Sequence, residues 1–159
     1  MRKALTVMTL GALLAAGTGT SLAQNKAFTA QDYVEIEQLY ARYNDAIDTG
    51  NADAWVGTFV ADGVFNTFKG QDALRGFVEQ WKGKMNGTRL RHWNTNLRIT
   101  PTAEGASGAV YLMLLDVSAK PPAITSAAQY TDSLVKTPQG WRFKQRATRG
   151  DSAPPPPKP

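Results

Sequence analysis

The chain contains one histidine, His92, and no cysteine. Imidazole is the side chain that gives and takes protons most readily near neutral pH. The usual cysteine and histidine sets that bind zinc cannot be formed here, and no Gly-x-Ser-x-Gly nucleophile motif or glycine-rich nucleotide fingerprint is present. The residues therefore favour acid–base chemistry by His92 with carboxylates and phenols, without a metal or a cofactor. A structural histidine that hydrogen-bonds a neighbouring group is the alternative.

His92 lies in the segment RLRHWNTNLRI, residues 89–99, within a part of the chain whose composition is typical of β-strands. In a regular strand, alternate side chains point to the same side. The side that carries the histidine is expected to hold Leu90, His92, Asn94, Asn96 and Arg98. A side with so many polar residues is typical of the wall of a wet or ligand-filled pocket, although a β-bulge would change the alternation.

Asp48 is the candidate partner of His92. On an ideal helix, its side chain lies about 110° from the mean direction of the apolar stripe over residues 33–47, so it can reach the edge of a pocket that the stripe faces. A carboxylate at the C-terminal end of a helix opposes the helix dipole, which argues for a function; an ordinary helix-end carboxylate is the alternative. Tyr40 and Tyr43 point into the same interior, as core aromatics or as acids.

Helical patterns precede strand patterns along the chain, which predicts an α+β domain rather than a parallel βαβ fold. The first predicted helix has a capping box, Thr29 with Asp32, and ends at Gly50. Its apolar stripe consists of Tyr33, Ile36, Tyr40, Tyr43 and Ile47. The further predicted elements are a helix from Asn51 through Phe59 with a turn at Asp62-Gly63, a short strand in GVFNTFKG, a helix from Gln71 to Lys82, and four antiparallel strands after Gly87.

The two ends of the chain have compositions unlike the domain between them. Arg2 and Lys3, a 13-residue apolar run and the small-residue site Ser21-Leu22-Ala23 predict a cleaved signal peptide over residues 1–23. We therefore expect a periplasmic or secreted protein without a membrane anchor. Residues 24–149 are predicted to form the domain, and residues 150–159 are predicted to form a disordered proline-rich tail. The formal net charge falls from +5 to +3 without the signal, which disfavours nucleic-acid binding.

The order of these motifs resembles the nuclear transport factor 2-like superfamily, in its SnoaL-like, polyketide-cyclase branch. The resemblance covers residues 28–149 and includes the segments YNDAIDTGNADAWVGTFVADGVF, KGQDALRGFVEQW, RHWNTNLRI and GWRFKQR. It implies a strongly curved sheet that is wrapped with three helices into a cone around a pocket, and such proteins are often dimers. The ketosteroid-isomerase branch carries its catalytic aspartate on the first short strand, where this chain has VFNTF and no carboxylate, so that chemistry is disfavoured.

Within the superfamily, the chain is most similar to the dehydratases and dehydrochlorinases. In that group a histidine in a His-x-x-x-Asn-like strand works with an aspartate at the end of the first helix, and His92, Asn96 and Asp48 match these positions. A tyrosine five residues before the aspartate, here Tyr43, takes part in one such enzyme. Together with the predicted signal peptide, these matches imply an exported, cofactor-free lyase acting on a small cyclic apolar substrate. The catalytic residues would be His92, Asp48 and Tyr43, and the substrate-binding residues Tyr40, Trp55 and Asn96.

An alternative of a different class also fits the sequence. Many members of the superfamily have no demonstrated reaction, and a fold does not fix a function. The same cone could bind a hydrophobic ligand or a protein partner without catalysis. An open cavity beside His92 would favour catalysis, whereas a cone filled with side chains would favour binding of a partner through the outer face of the sheet.

Overall fold

A computed structural model describes residues 28–152, which form three helices and one six-stranded sheet. The two halves follow the predicted order, with the helices first and the long strands afterwards. The helices are α1 (Ala30–Thr49), α2 (Ala52–Val56) and α3 (Gln71–Met85). The strands are β1 (Phe59–Phe65), β2 (Phe68–Lys69), β3 (Leu90–Thr102), β4 (Gly105–Asp116), β5 (Ala123–Thr137) and β6 (Gly140–Gly150).

The predicted capping box begins α1. The Thr29 side chain accepts a hydrogen bond from the Asp32 backbone N–H, and the Asp32 carboxylate accepts one from the Thr29 backbone N–H. The helix ends at Gly50, whose φ of 66° lies in the left-handed region that glycine adopts without strain. The predicted apolar stripe is buried except for Tyr33, which is 41% exposed and packs edge-on against Phe28 instead.

The sheet is mixed, curved and unclosed, with the order β2-β1-β6-β5-β4-β3. Strands β3 to β6 form an antiparallel meander, and β1 joins this meander through a parallel pairing with β6. The last described strand, β6, therefore lies in the middle of the sheet. The predicted α+β class with a curved mixed sheet is confirmed.

The prediction for residues 51–70 is wrong in three places. Helix α2 ends at Val56, and Phe59 already belongs to β1, because the Phe143 backbone N–H donates to the Thr58 carbonyl and draws this segment onto β6. The turn expected at Asp62-Gly63 is part of β1, where the pairing with β6 shifts register. The single strand expected in GVFNTFKG is instead the hairpin of β1 and β2.

Aromatic side chains fill the space between the helices and the concave face of the sheet. Trp55 and Phe143 are fully buried, and Tyr43 is 1% exposed. The ring centroid of Tyr43 lies 5.2 Å from that of Trp55 and 5.5 Å from that of Phe143. These contacts fix α1 and α2 against β6, and so they set the position of the last turn of α1.

The predictions for the two termini fall largely outside the described residues. The predicted signal peptide lies there entirely, and the predicted tail lies there from residue 153 onward. Strand β6 extends through Gly150, one residue beyond the predicted domain boundary. Within residues 28–152, no helix has both the length and the apolar composition needed to span a membrane.

Candidate functional site

Asp48 and His92 are in direct contact. The last turn of α1 carries Asp48, and the first residues of β3 carry His92. Oδ1 of Asp48 lies 2.6 Å from Nδ1 of His92, and the His92 backbone N–H donates to both carboxylate oxygens at 3.1 Å. The predicted pair is therefore brought together by a side-chain contact and by two backbone contacts.

The contact determines which nitrogen of the imidazole ring carries a proton. An ionised carboxylate can only accept hydrogen bonds, so Nδ1 of His92 donates to Asp48 and the neutral ring has its lone pair on Nε2. No group among residues 28–152 hydrogen-bonds Nε2. The side chains of His92 and Asp48 are only 7% and 8% exposed, and the Trp81 ring packs at 5.5 Å from the imidazole. The pair is thus shielded from water, with one ring nitrogen available as a base.

A β-bulge changes the alternation that the sequence predicts for β3. His92 pairs with Leu114 and Asn94 pairs with Leu112, but the register shifts between Thr95 and Arg98. Asn96 lies in this bulge with a φ of 57° and is exposed. The expectation that Asn96 and Arg98 share the His92 side is therefore wrong. Both residues line a shallow depression of about 190 Å³ with Tyr111, which is on the outer face.

The predicted aromatic site residues belong to the packed core. Tyr43 contacts Trp55 and lies beneath the guanidinium of Arg146, whose central carbon is 4.2 Å from the ring centroid. Burial raises the pKa of the Tyr43 hydroxyl to about 12, although the charge of Arg146 opposes the shift. The Tyr40 hydroxyl donates to Asp132. The structure therefore groups Tyr40, Tyr43 and Trp55 with one another, whereas the His92 ring contacts Asp48 and Trp81.

The sequence analysis missed a fully buried ion pair in this core. Nε and Nη2 of Arg146 donate to the two carboxylate oxygens of Asp132 at 2.7 and 2.8 Å, and both side chains are 0% exposed. Burial alone would lower the pKa of Arg146, but the Asp132 carboxylate outweighs it and holds that pKa above its usual value. Strand alternation could have revealed the pair, because Asp132 lies between the apolar inward positions Tyr130 and Leu134.

Four surface depressions are lined by described residues other than Asp48 and His92. Two of them, with volumes of about 660 and 480 Å³, share Gln31, Glu35, Lys136 and Trp141 near the start of α1. A third, of about 520 Å³, includes Arg42. Within residues 28–152, no group of three or more histidine, aspartate or glutamate side chains is arranged to hold a metal ion.

Known proteins share this fold. The family model described as "SnoaL-like domain" matches residues 29–147. A search of the curated proteins found no match. A variant of Rv3472, a protein of unknown function from Mycobacterium tuberculosis, is 28% identical with a TM-score of 0.68, over 76% of this chain and 72% of that chain.

Two further structures extend the comparison of the fold. Aln2 from a Streptomyces species is 24% identical with a TM-score of 0.72, over 79% of this chain and 95% of that chain. A nuclear transport factor 2-like protein with a cystatin-like fold from Novosphingobium aromaticivorans is 22% identical with a TM-score of 0.70, over 77% and 84% of the two chains. The resemblance read from the sequence is confirmed, and the chain belongs to the SnoaL-like domain family, with a nuclear transport factor 2-like fold.

Proposed function

We propose that this protein is an exported, cofactor-independent lyase that eliminates water or a similar group from a small cyclic, largely apolar substrate. The observation that carries the proposal is the shielded contact between Asp48 and His92. A carboxylate that fixes the tautomer of a histidine leaves the other ring nitrogen as a general base. The His92 backbone N–H also donates to the Asp48 carboxylate, which holds that carboxylate in place beside the ring.

The proposed reaction begins when Nε2 of His92 takes a proton from a carbon of the substrate. The electron pair of that C–H bond forms a carbon–carbon double bond, and the leaving group departs from the adjacent carbon with its own bonding pair. The proton on His92 then passes to the leaving group, so that a hydroxyl leaves as water. Asp48 stabilises the imidazolium that exists between the two steps.

The proposed role of Tyr43 is to donate a hydrogen bond to a carbonyl or to the leaving group. With a pKa of about 12, its hydroxyl is protonated at neutral pH, which is the state that a donor needs. Its ring is packed under Arg146 in the core. A substrate would therefore meet Tyr43 only by entering the space between α1 and the sheet.

A second candidate function is binding of a partner through the outer face of the sheet, without catalysis, and the aromatic packing of the interior favours it. Trp93, Tyr111 and Ile124 are 54%, 46% and 61% exposed. They lie on strands β3, β4 and β5 and form an aromatic and aliphatic outer patch. Apolar surface of this kind is typical of protein interaction sites, and a second copy of the chain is one partner that fits it.

Substitution of the two paired residues tests the catalytic proposal. Candidate substrates are small alicyclic and aromatic compounds that first raise the melting temperature of the protein and are then assayed for elimination by the absorbance of the new double bond. His92→Ala and Asp48→Asn should each lower turnover by a factor on the order of one hundred or more. The double variant should be little worse than the poorer single variant, since residues that act as one unit have non-additive effects.

The matched control is Asp45→Asn, which removes an exposed carboxylate from the same helix. It should retain the turnover of the wild-type protein. If folded His92→Ala retained near-native turnover of a verified substrate, the acid–base mechanism would be wrong. Absence of any turnover together with a dimer that Trp93→Lys dissociates would favour the partner-binding function.

A further inference from the structure

Two asparagine side chains in the interior have polar atoms without a partner. Nδ2 and Oδ1 of Asn94, and Oδ1 of Asn44, are buried and make no hydrogen bond to any group in residues 28–152. Buried polar atoms in folded proteins nearly always have a partner, because an unmade hydrogen bond leaves the desolvation cost uncompensated. These three atoms therefore indicate that a polar molecule completes this part of the interior.

Asn94 lies beside His92 on the concave face of the sheet. The two residues are separated by one residue of strand β3, before the bulge, so their side chains project from the same side about 7 Å apart along the strand. Their partners across the ladder on β4 are Leu112 and Leu114. Leu112 is 6% exposed, which confirms that Asn94 faces the interior. The Asn94 amide and the His92 ring therefore face the same side of β3.

Helix α1 runs antiparallel to β3. At the C-terminal end of the helix, Asp48 contacts His92 near the start of the strand. The hydroxyl of Tyr40, two turns earlier on α1, lies so close to Gly108 that a Cβ on this glycine would overlap it. Gly108 pairs with Ile99, seven residues after His92 in β3.

Asn44 is midway between Tyr40 and Asp48 on the helix. Residues four apart on a helix share one face, so Asn44 lies one turn from Asp48 on the side that packs on the strand. Because the two elements are antiparallel, this turn faces the stretch of β3 just after His92, where Asn94 lies. The unpartnered oxygen of Asn44 and the unpartnered amide of Asn94 therefore belong to facing stretches of α1 and β3.

We propose that Asn94 and Asn44 are specificity-determining residues that bind the oxygen atoms of a cyclic substrate. The inference rests on the proposed function, because it places the substrate against His92. Nδ2 of Asn94 donates to a carbonyl oxygen, and the two amide oxygens accept from a hydroxyl group. A carbonyl next to the carbon that faces His92 also makes its C–H bond more acidic, and the amide donor stabilises the negative oxygen that develops. The site therefore selects oxygenated rings over the corresponding hydrocarbons.

Binding of two matched probes tests this inference without any turnover. The probes are 2-tetralone and tetralin, which have the same two-ring skeleton and differ by the carbonyl group. Isothermal titration calorimetry on the wild-type protein should give about tenfold tighter binding of 2-tetralone, the amount expected for one buried hydrogen bond. Asn94→Leu should remove this preference, and Asn94→Ala should do the same where the larger side chain impairs folding. Thr95→Leu, at the adjacent exposed position on the outer face, should keep it.

Each result bears on the inference separately from the proposed reaction. A preference that is lost in both Asn94 variants and kept in Thr95→Leu supports the inference, whatever the turnover of His92→Ala. Equal binding of the two probes by the wild-type protein would overturn the inference. It would indicate that the two asparagine amides hydrogen-bond only water. A preference that persists in both Asn94 variants would also overturn it, even if His92→Ala had abolished elimination.

Discussion

Arg146→Met tests the buried ion pair with Asp132. The guanidinium is fully buried and lies 4.0 to 4.6 Å from the centroids of four aromatic rings, so water cannot replace the ion pair. The substitution leaves the Asp132 carboxylate buried with the Tyr40 hydroxyl as its remaining donor. The two single variants and the double variant Asp132→Leu/Arg146→Met complete a double-mutant cycle.

The expected loss of stability in Arg146→Met follows from the burial of the ion pair and from the size of the domain. Removing one partner of a buried ion pair destabilises a protein by about 3 to 5 kcal/mol. The unfolding entropy of a domain of 125 described residues is about 0.26 kcal/mol per kelvin. The melting temperature should therefore fall by about 11 to 19 °C. The double variant should regain part of this loss, because it leaves no unpaired charge in the core.

Differential scanning calorimetry measures the effect. The matched control is Arg75→Met, because Arg75 pairs with Asp53 at 2.7 Å while the two side chains are 45% and 86% exposed. An exposed pair contributes about 0 to 1 kcal/mol, so this control should change the melting temperature by no more than about 4 °C. A comparably small change in Arg146→Met would show that the buried pair does not hold the core together.

Two other predictions concern the tyrosines and the N-terminus. Because burial raises the pKa of Tyr43 to about 12, the folded chain binds more protons than the unfolded chain between about pH 10 and 12, and stability should fall as the pH rises through this range. Urea unfolding at pH 9 and 11 measures the loss, and Tyr43→Phe should reduce it; an equal loss in that variant would contradict the assigned cause. The mature protein in the exported fraction should begin at or near Gln24 by N-terminal sequencing, and an intact Met1 in a cytoplasmic pool would contradict the proposed signal peptide.

Local chemistry explains which elements the sequence could predict. The capping box at Thr29 and the glycine at position 50 define α1 from residues within or next to the helix. The angle of Asp48 on that helix and the strand composition around His92 were enough, with the family resemblance, to predict that the two residues pair. Both inferences depend on regular geometry, which α1 and the part of β3 before its bulge have.

Predictions failed where the geometry is irregular or where the partners are distant in sequence. Strict alternation assigned Asn96 to the His92 side, but a bulge turns its side chain to the outer face. No glycine or proline in this stretch indicates the bulge in the sequence. Asp132 and Arg146 lie on different strands, and their pairing requires the register of β5 with β6. Asn94, whose inward direction the alternation gave correctly, was assigned no role because its lack of partners is visible only in three dimensions.

The central position of β6 determines when this domain can fold. Phe59 in β1 pairs with Phe143 in β6, and β6 follows all the other described strands along the chain. Closing so long a loop is entropically costly and slow, so the nascent helices and β1 have no stable sheet to pack on until Arg146 has been synthesised. A polypeptide that ends before Trp141 exposes its aromatic core side chains to other chains. Premature termination near the C-terminus should therefore produce an aggregation-prone product rather than a smaller folded domain.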